Sequence, residues 1–347
     1  MSDVLIRKTG QVGRITLNRP DALNAITPAM LAEIDAALIG WAGDASVAML
    51  VIDGAGDRAF CAGGDIAHIH AAGALGDFEP ARQFWRQEYA MNARLHGFPK
   101  PVASFLQGFT MGGGVGVGCH ASHRIVGETS RVAMPECGIG LVPDAGGSLI
   151  LARAPGRLGE YLAVTGARLG PSDAIFAGFA DYFIPEPEWP GLIARLEASG
   201  DWALIDRAAV SPAPAPLAEW RGWVDGQFAG ATMGDVLRGL EHDTSDRAAQ
   251  TLAMIRRGSP LSVAVALELV RRVRGRDSIH GALELEYRAT SRAIESGDFL
   301  EGIRALIIDK DRAPVWKWPR IEALPATAVF EMLLPLGAAT LQLEKAS

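Results

Sequence analysis

Cysteine is scarce. Cys61, Cys119 and Cys137 are the only three in 347 residues, and no CxxC spacing occurs. An odd, sparse set excludes a disulfide framework and fits a reducing compartment, with the three thiols as small buried fillers. No uninterrupted apolar stretch approaches the roughly 18–20 residues that span a bilayer, so no membrane partner is expected. The segment Met1-Ser2-Asp3-Val4 has no basic region followed by an apolar run. No signal peptide is therefore expected, and a bacterial cytoplasm is the expected setting. Positive charge is also in deficit: 33 Lys and Arg stand against 40 Asp and Glu, a net charge of −7 with a pI near 5.6. That balance argues against a general nucleic-acid binder. The basic run from Arg271 to Arg276 reads as a solvated helix end. The sequence has no GxSxG elbow, which argues against a serine hydrolase of the α/β-hydrolase type. Gly116 to Ala121 matches GxGxxA only formally, because a glycine triplet intervenes where a strand should lead in. Neither His68 with His70 nor His120 with His123 comes with a ligand set, so no metal and no cofactor is expected.

What is present is an ordinary globular composition, 49% hydrophobic and 21% charged. Val4 and Ile6, a turn at Gly10, and Val12 to Leu17 predict a β-hairpin. Thr27-Pro28 predicts an N-cap with proline at the first helical position. The helix it opens carries Met30, Leu31, Ile34 and Leu38 on one face and runs to about Ala42. Ala48 to Asp53, Val102 to Leu106 and His123 to Val126 read as short buried strands. Strands alternating with helical segments predict an α/β layer structure. Beyond about residue 190 strand-like runs vanish, and helical periodicity dominates from Leu261 to Val273 and from Ile279 to Ala293. Ser211 to Pro216 alternates with proline and reads as a stiff connector. The expected organisation is an α/β core over residues 1–190 and a helical region over residues 191–347.

The stretch with the most chemistry runs from Phe105 to Gly147. It holds the triplet Gly112-Gly113-Gly114, then Met134-Pro135-Glu136, then Pro143-Asp144-Ala145-Gly146-Gly147. Adjacent glycines let a backbone turn sharply and approach a ligand closely. Backbone N–H groups aimed at a developing oxyanion, plus a carboxylate to drive water, are the parts acyl chemistry needs. Asp144 sits where a loop ends before a helix, a position also suited to an N-cap.

These residues resemble the crotonase (enoyl-CoA hydratase/isomerase) superfamily. The matching pieces are Leu17-Asn18-Arg19-Pro20 with Leu23-Asn24-Ala25, then Phe60 to Ile66, then the glycine triplet, then Pro135-Glu136 with Ile139-Gly140-Leu141. Within the superfamily the chain is most similar to the 3-hydroxyisobutyryl-CoA hydrolase branch. Met111 to Gly116, Pro143 to Gly147, Glu286-Tyr287-Arg288 and Asp298 to Ala305 carry that likeness, followed by Ile308 to Asp311 and Pro314-Val315-Trp316. The resemblance implies a spiral of β-β-α turns with a helical trimerisation region, hence a homo-oligomer. It implies an acyl-CoA substrate, CoA being part of that substrate rather than a cofactor. It assigns the oxyanion amides to Gly64 and Gly113, the catalytic glutamate to Glu136 and a second carboxylate to Asp144. Asn24, Ala25, Ala62, Gly63, Asp65, Gly112 and Gly116 fall at substrate-binding positions. Arg19 and Lys100 are candidates for the CoA phosphates. Glycine at 116 removes the second glutamate of typical hydratases, which speaks against hydration.

The implied activity is thioester hydrolysis in valine breakdown, with Glu136 as nucleophile or as general base. Two other readings stand beside it: an enoyl-CoA isomerase or hydratase of the same superfamily, and a non-catalytic CoA-binding scaffold.

Overall fold

The computed structural model describes residues 2–325 and 327–343. The predicted hairpin is there: β1 (Val4–Thr9) pairs antiparallel with β2 (Val12–Leu17) around Gly10, whose φ of +57° suits glycine. α1 (Pro28–Ala42) starts as its sequence predicts, with the Thr27 hydroxyl accepting from the Met30 N–H at 3.2 Å and proline in the first turn. It connects β2 to β3 (Met49–Gly54), which lies parallel to β2. A parallel pair needs such a crossover, since a tight turn cannot reverse the chain twice.

The chain then makes β4 (Ala59–Cys61), α2 (Ala67–Gly73), α3 (Glu79–His96), β5 (Val102–Phe105) and β6 (Phe109–Met111). Next come α4 (Gly113–Gly118), β7 (His123–Val126), β8 (Arg131–Ala133), α5 (Gly147–Arg153), α6 (Leu158–Thr165), α7 (Pro171–Phe176) and β9 (Tyr182–Phe183). Two sheets result. The larger has the order β1-β2-β3-β5-β7-β9, and the smaller is β4-β6-β8. After the hairpin, every pairing between these named strands is parallel.

Period-two alternation explains the burial of the larger sheet on both faces. Val12, Met49, Val51, Ala103, Phe105 and Ile125 pack with Trp189, Leu192 and Leu196 of α8 (Trp189–Ser199). Ile15, Leu17, Leu50 and Ile52 point to the main core with Met30 and Ile34 of α1.

After α8 the described chain is helical: α9 (Ala203–Ala208), α10 (Pro216–Gln227), α11 (Met233–His242), α12 (Asp246–Ile255), α13 (Pro260–Arg274), α14 (Ile279–Ser296), α15 (Phe299–Ile303) and α16 (Ala328–Leu333). Val263 and Val265 of α13 and Leu283 and Tyr287 of α14 belong to the same buried cluster as Ile15, Phe60 and Tyr89. The C-terminal helices therefore share the main core rather than hang beside it.

The basic run at the end of α13 differs from its sequence expectation. Arg271 and Arg274 turn inward onto Glu160 of α6, which is fully buried and also meets Arg157. The arginine side chains remain 20–38% exposed. Glu160 thus ties α6 to α13 with charge-assisted bonds. Removing one partner of a buried ion cluster leaves like charges facing each other. We expect Glu160→Gln to lower stability by about 3 kcal/mol, near the low end for such a break because the cations keep some water. Urea unfolding checks this, and a loss under about 0.5 kcal/mol would mean the cluster is solvated in practice.

Candidate active site

The smaller sheet places the site. Each of β4, β6 and β8 is three residues long. Their parallel registers set Cys61 beside Thr110, and Met111 beside Ala133. Strands that run parallel release their following loops at one edge. The loops so released are Ala62 to Ile66, Gly112-Gly113 and Met134 to Gly140. They carry the glycine pair, the triplet and Glu136.

A Cβ built on Gly113 would lie 3.4 Å from the Gly64 nitrogen, so the two amides are neighbours. Neither N–H donates to a protein acceptor among the described residues. Gly112 has φ 54° and ψ −122°, a conformation only glycine adopts freely. A Cβ on Gly112 would meet Glu136 Oε1 at 2.7 Å, and one on Gly113 would meet Glu88 Oε1. Glycine here makes room for carboxylates.

Glu136 opens a 3₁₀ turn, Glu136–Ile139, fixed by the Leu141 N–H to the Glu136 carbonyl and the Ser259 N–H to the Cys137 carbonyl. Its side chain is 5% exposed, and neither oxygen has a protein partner. Burial first, then the charges of Asp144, Glu286 and Glu88, push its carboxyl well above the usual range. Asp144 is equally buried and accepts the Tyr89 hydroxyl at 2.8 Å. Burial pushes it up to about 7, against the pull of that hydrogen bond. Asp144 is not an N-cap: α5 begins at Gly147, with Gly146 in the cap position.

Two carboxylates complete the cluster that sequence reasoning left unassigned. Glu88 on α3 is 3% exposed with Oε1 unpartnered, and burial, then Asp144 and Glu286, raise it well above the ordinary range. Glu286 on α14 is fully buried and accepts from the Gly146 N–H at 2.8 Å, the Ser148 N–H at 3.1 Å and the Ser148 hydroxyl. Burial pushes it up to about 8, with the donors pulling the other way. A signal for both existed. Ala81, Phe84, Trp85, Glu88, Tyr89, Asn92 and Leu95 form the buried stripe of α3. Leu283, Glu286, Tyr287 and Thr290 lie in that of α14. A glutamate in a core stripe is rare unless it is paired or used.

Glu88, Glu136, Asp144, Ala62, Gly63, Gly64, Gly112 and Gly113 all line one cavity of about 820 Å³, walled by Ile66, Phe84, Trp85, Ile139, Leu141 and Phe299. The other expected substrate contacts lie outside that lining. Asn24 is fully buried and holds its own loop, accepting the Arg19 N–H and donating to the carbonyls of Ala55 and Ala59. Asp65 pairs with Arg19 at 3.0 Å, and the Ala25 carbonyl accepts from the same guanidinium. These residues brace the Ala62 to Ile66 loop, whose Gly63 carbonyl accepts from the Ile26 N–H. Gly116 corrects the sequence expectation more sharply. Its Cβ position is filled by Ala145 at 2.8 Å and Asn92 at 2.9 Å, so it packs the core instead of facing the cavity. Lys100 donates to the carbonyls of Trp41 and Asp44 and does not reach the cavity. The cations in the lining are Arg168 and Arg257, both exposed.

Residues 12–333 match the enoyl-CoA hydratase/isomerase family. The chain is 36% identical to the mitochondrial 3-hydroxyisobutyryl-CoA hydrolase of Xenopus laevis, over 98% of this chain and 90% of that one. With the enzyme of that name from Homo sapiens it shares 36% identity over 91% of this chain and 84% of the other. Among solved structures, an enoyl-CoA hydratase from Rhodobacter sphaeroides 2.4.1 superposes with a TM-score of 0.95 at 55% identity, covering 98% of this chain and all of that one. A carnitinyl-CoA dehydratase from Mycobacterium thermoresistibile gives 0.94 at 38% identity, each chain fully covered. The crotonase fold expected from the sequence is thus the fold observed.

The raised Asp144 carboxyl has a consequence for stability. Between its ordinary value of 3.8 and the folded value of about 7, the native chain holds a proton that the unfolded chain has released. Its contribution therefore falls as pH rises through that window, and the penalty is complete above it. Asp144→Asn should raise the thermal midpoint more at pH 8 than at pH 5. Equal shifts at both pH values would show that ionisation of Asp144 costs the fold nothing.

Proposed function

This chain belongs to the enoyl-CoA hydratase/isomerase family, and from that premise we propose that it is an acyl-CoA thioester hydrolase. Its substrate is 3-hydroxyisobutyryl-CoA, cleaved to 3-hydroxyisobutyrate and CoA in valine breakdown. The observation that carries the reading is Glu136: a buried carboxyl with both oxygens unpartnered, in one cavity with two unused amides. An unpaired buried polar group costs about 1–3 kcal/mol or more, and is kept where a reaction uses it. Near full-length likeness to the hydrolases named above supports the same reading.

In this mechanism the thioester oxygen sits between the N–H groups of Gly64 and Gly113. Attack on the carbonyl carbon moves charge onto that oxygen, where two preorganised donors stabilise it. Glu136 either forms the new C–O bond itself, giving an anhydride that water then cleaves, or takes a proton from the attacking water. The C–S bond breaks, and the CoA thiolate leaves with its electron pair and picks up a proton. Asp144, oriented by Tyr89, and Glu88, with a free oxygen, take the substrate hydroxyl and manage protons. The apolar wall of Phe84, Trp85 and Phe299 suits a short branched acyl group. Arg168 and Arg257 supply positive charge for the CoA phosphates.

The solved relatives named for hydration and dehydration favour a second reading, double-bond chemistry on the same ester. Against it stands α4: residue 116 is glycine and packed away from the cavity, so that helix offers no second glutamate for water addition.

A thiol-release assay on 3-hydroxyisobutyryl-CoA, beside a hydration assay on crotonyl-CoA, separates the two. Thioester cleavage should dominate, with hydration negligible. Hydration equal to or faster than cleavage would return the chain to the hydratases. Glu136→Gln keeps shape but loses base and nucleophile, so kcat should fall by about 10²–10⁴ while CoA esters still bind. A loss under tenfold would remove Glu136 from the chemistry.

A further inference from the structure

We propose that Glu286 is the positioning residue for Asp144: from α14 it clamps the turn that presents Asp144 to the cavity, and so sets the rate of thioester cleavage. The inference rests on the hydrolase reading above. Asp144 is followed by two successive left-handed residues, Ala145 at φ +53° and Gly146 at φ +78°. Alanine disfavours that region, so the turn holds only if its surroundings over-determine it. Such winding also aims nearby N–H groups to one side, forming a concavity for an anion. The Glu286 carboxylate fills it, accepting from Gly146, Ser148 and the Ser148 hydroxyl. The remaining links close the turn from other sides. His120 Nε2 lies 2.9 Å from the Ala145 carbonyl, and the Gly147 N–H donates to the Asp144 carbonyl at 2.8 Å.

The same helix reaches the Asp144 side chain. Thr290, four residues along α14 from Glu286, has its hydroxyl 3.5 Å from that of Tyr89, which donates to Asp144. Residues four apart share one helix face, so α14 sets both the backbone of the turn and the hydroxyl that orients its carboxyl. Glu286 does not line the cavity and touches no reacting atom, so its effect must pass through Asp144. A simple helix cap would stabilise α5 and leave turnover alone.

Glu286→Gln tests this. The amide nitrogen would face an N–H donor, so at least one clamp bond is lost at nearly constant volume. kcat for 3-hydroxyisobutyryl-CoA should fall by about tenfold or more, the scale of a small misplacement at a reacting centre. KM should stay within about threefold. The double variant Asp144→Asn with Glu286→Gln should lie within about twofold of Asp144→Asn alone, because coupled residues do not add. Amide exchange over residues 142–148 should accelerate in Glu286→Gln. Native kcat in the variant, or losses that multiply in the double variant, would overturn the proposal. If the native chain cleaves no acyl-CoA, the hydrolase reading fails, and the exchange arm still reports on the clamp: faster exchange supports it, unchanged exchange overturns it. Should Glu286→Gln not fold, Ser148→Ala removes one donor and reads the same cycle. A smaller, non-additive loss of kcat supports the clamp, and an additive one overturns it.

Discussion

Glu88, Glu136, Asp144 and Glu286 are all at most 5% exposed, and none pairs with a cation among the described residues. Burying carboxyl groups together without counter-charge is expensive unless they take up protons or find donors. Each answers differently. Glu286 is satisfied by two N–H groups and a hydroxyl, Asp144 by Tyr89, while Glu136 and Glu88 keep open oxygens. The arrangement yields neighbouring carboxyl groups whose affinities for protons are all raised but not equally, the condition under which one can act as base while another holds a proton. The apolar wall around them keeps water from levelling those differences.

Holding that cluster is the work of two units far apart in sequence. A very short parallel sheet delivers the amides and Glu136 to one edge. Helices from the end of the chain then lock the turns. Gly302 of α15 sits so close to the Ile139 carbonyl that no Cβ fits between them, and Gly140 meets the Asp298 carbonyl as closely. Asp298 is itself held by Ser259 and the Lys317 N–H. The turn of Glu136 and the turn of Asp144 are each pinned by the helical region, from different helices. Loosening either would shift a carboxyl in a pocket where small displacements are costly.

Solved relatives with almost the same backbone carry names for hydration and dehydration of CoA esters, and relatives in sequence carry the name of a hydrolase. Two neighbouring amides without protein acceptors among the described residues suit any reaction that builds negative charge on an oxygen held between them. Which reaction follows depends on the carboxyls placed around the acyl group. Here Asn92 and Ala145 close off residue 116, and the carboxyls that line the cavity beside Glu136 are Glu88 and Asp144.

Local rules made much of this legible in the sequence. The hairpin around Gly10, the Thr27 cap, the buried runs of β3, β5 and β7, and the long helices α13 and α14 follow from turn chemistry and periodicity. The two glycine motifs stood out in the local sequence, because adjacent glycines let a backbone turn sharply and approach other atoms closely, whereas Glu136 was marked by the resemblance to the enoyl-CoA hydratase/isomerase superfamily. The strands β4, β6 and β8 were not visible, since three residues are too few to show a period. Gly116 could be identified as a missing carboxylate but not as a packing contact, and Asp144 could be taken for a cap. Only tertiary structure decided that Glu88 and Glu286 join the cluster, that Arg271 and Arg274 turn inward to Glu160, and that Lys100 caps carbonyls. Charge on a side chain declares what it can do. Burial and the partner brought in from a hundred or more residues away decide what it does, because the cost of desolvation depends on surroundings that no local stretch encodes.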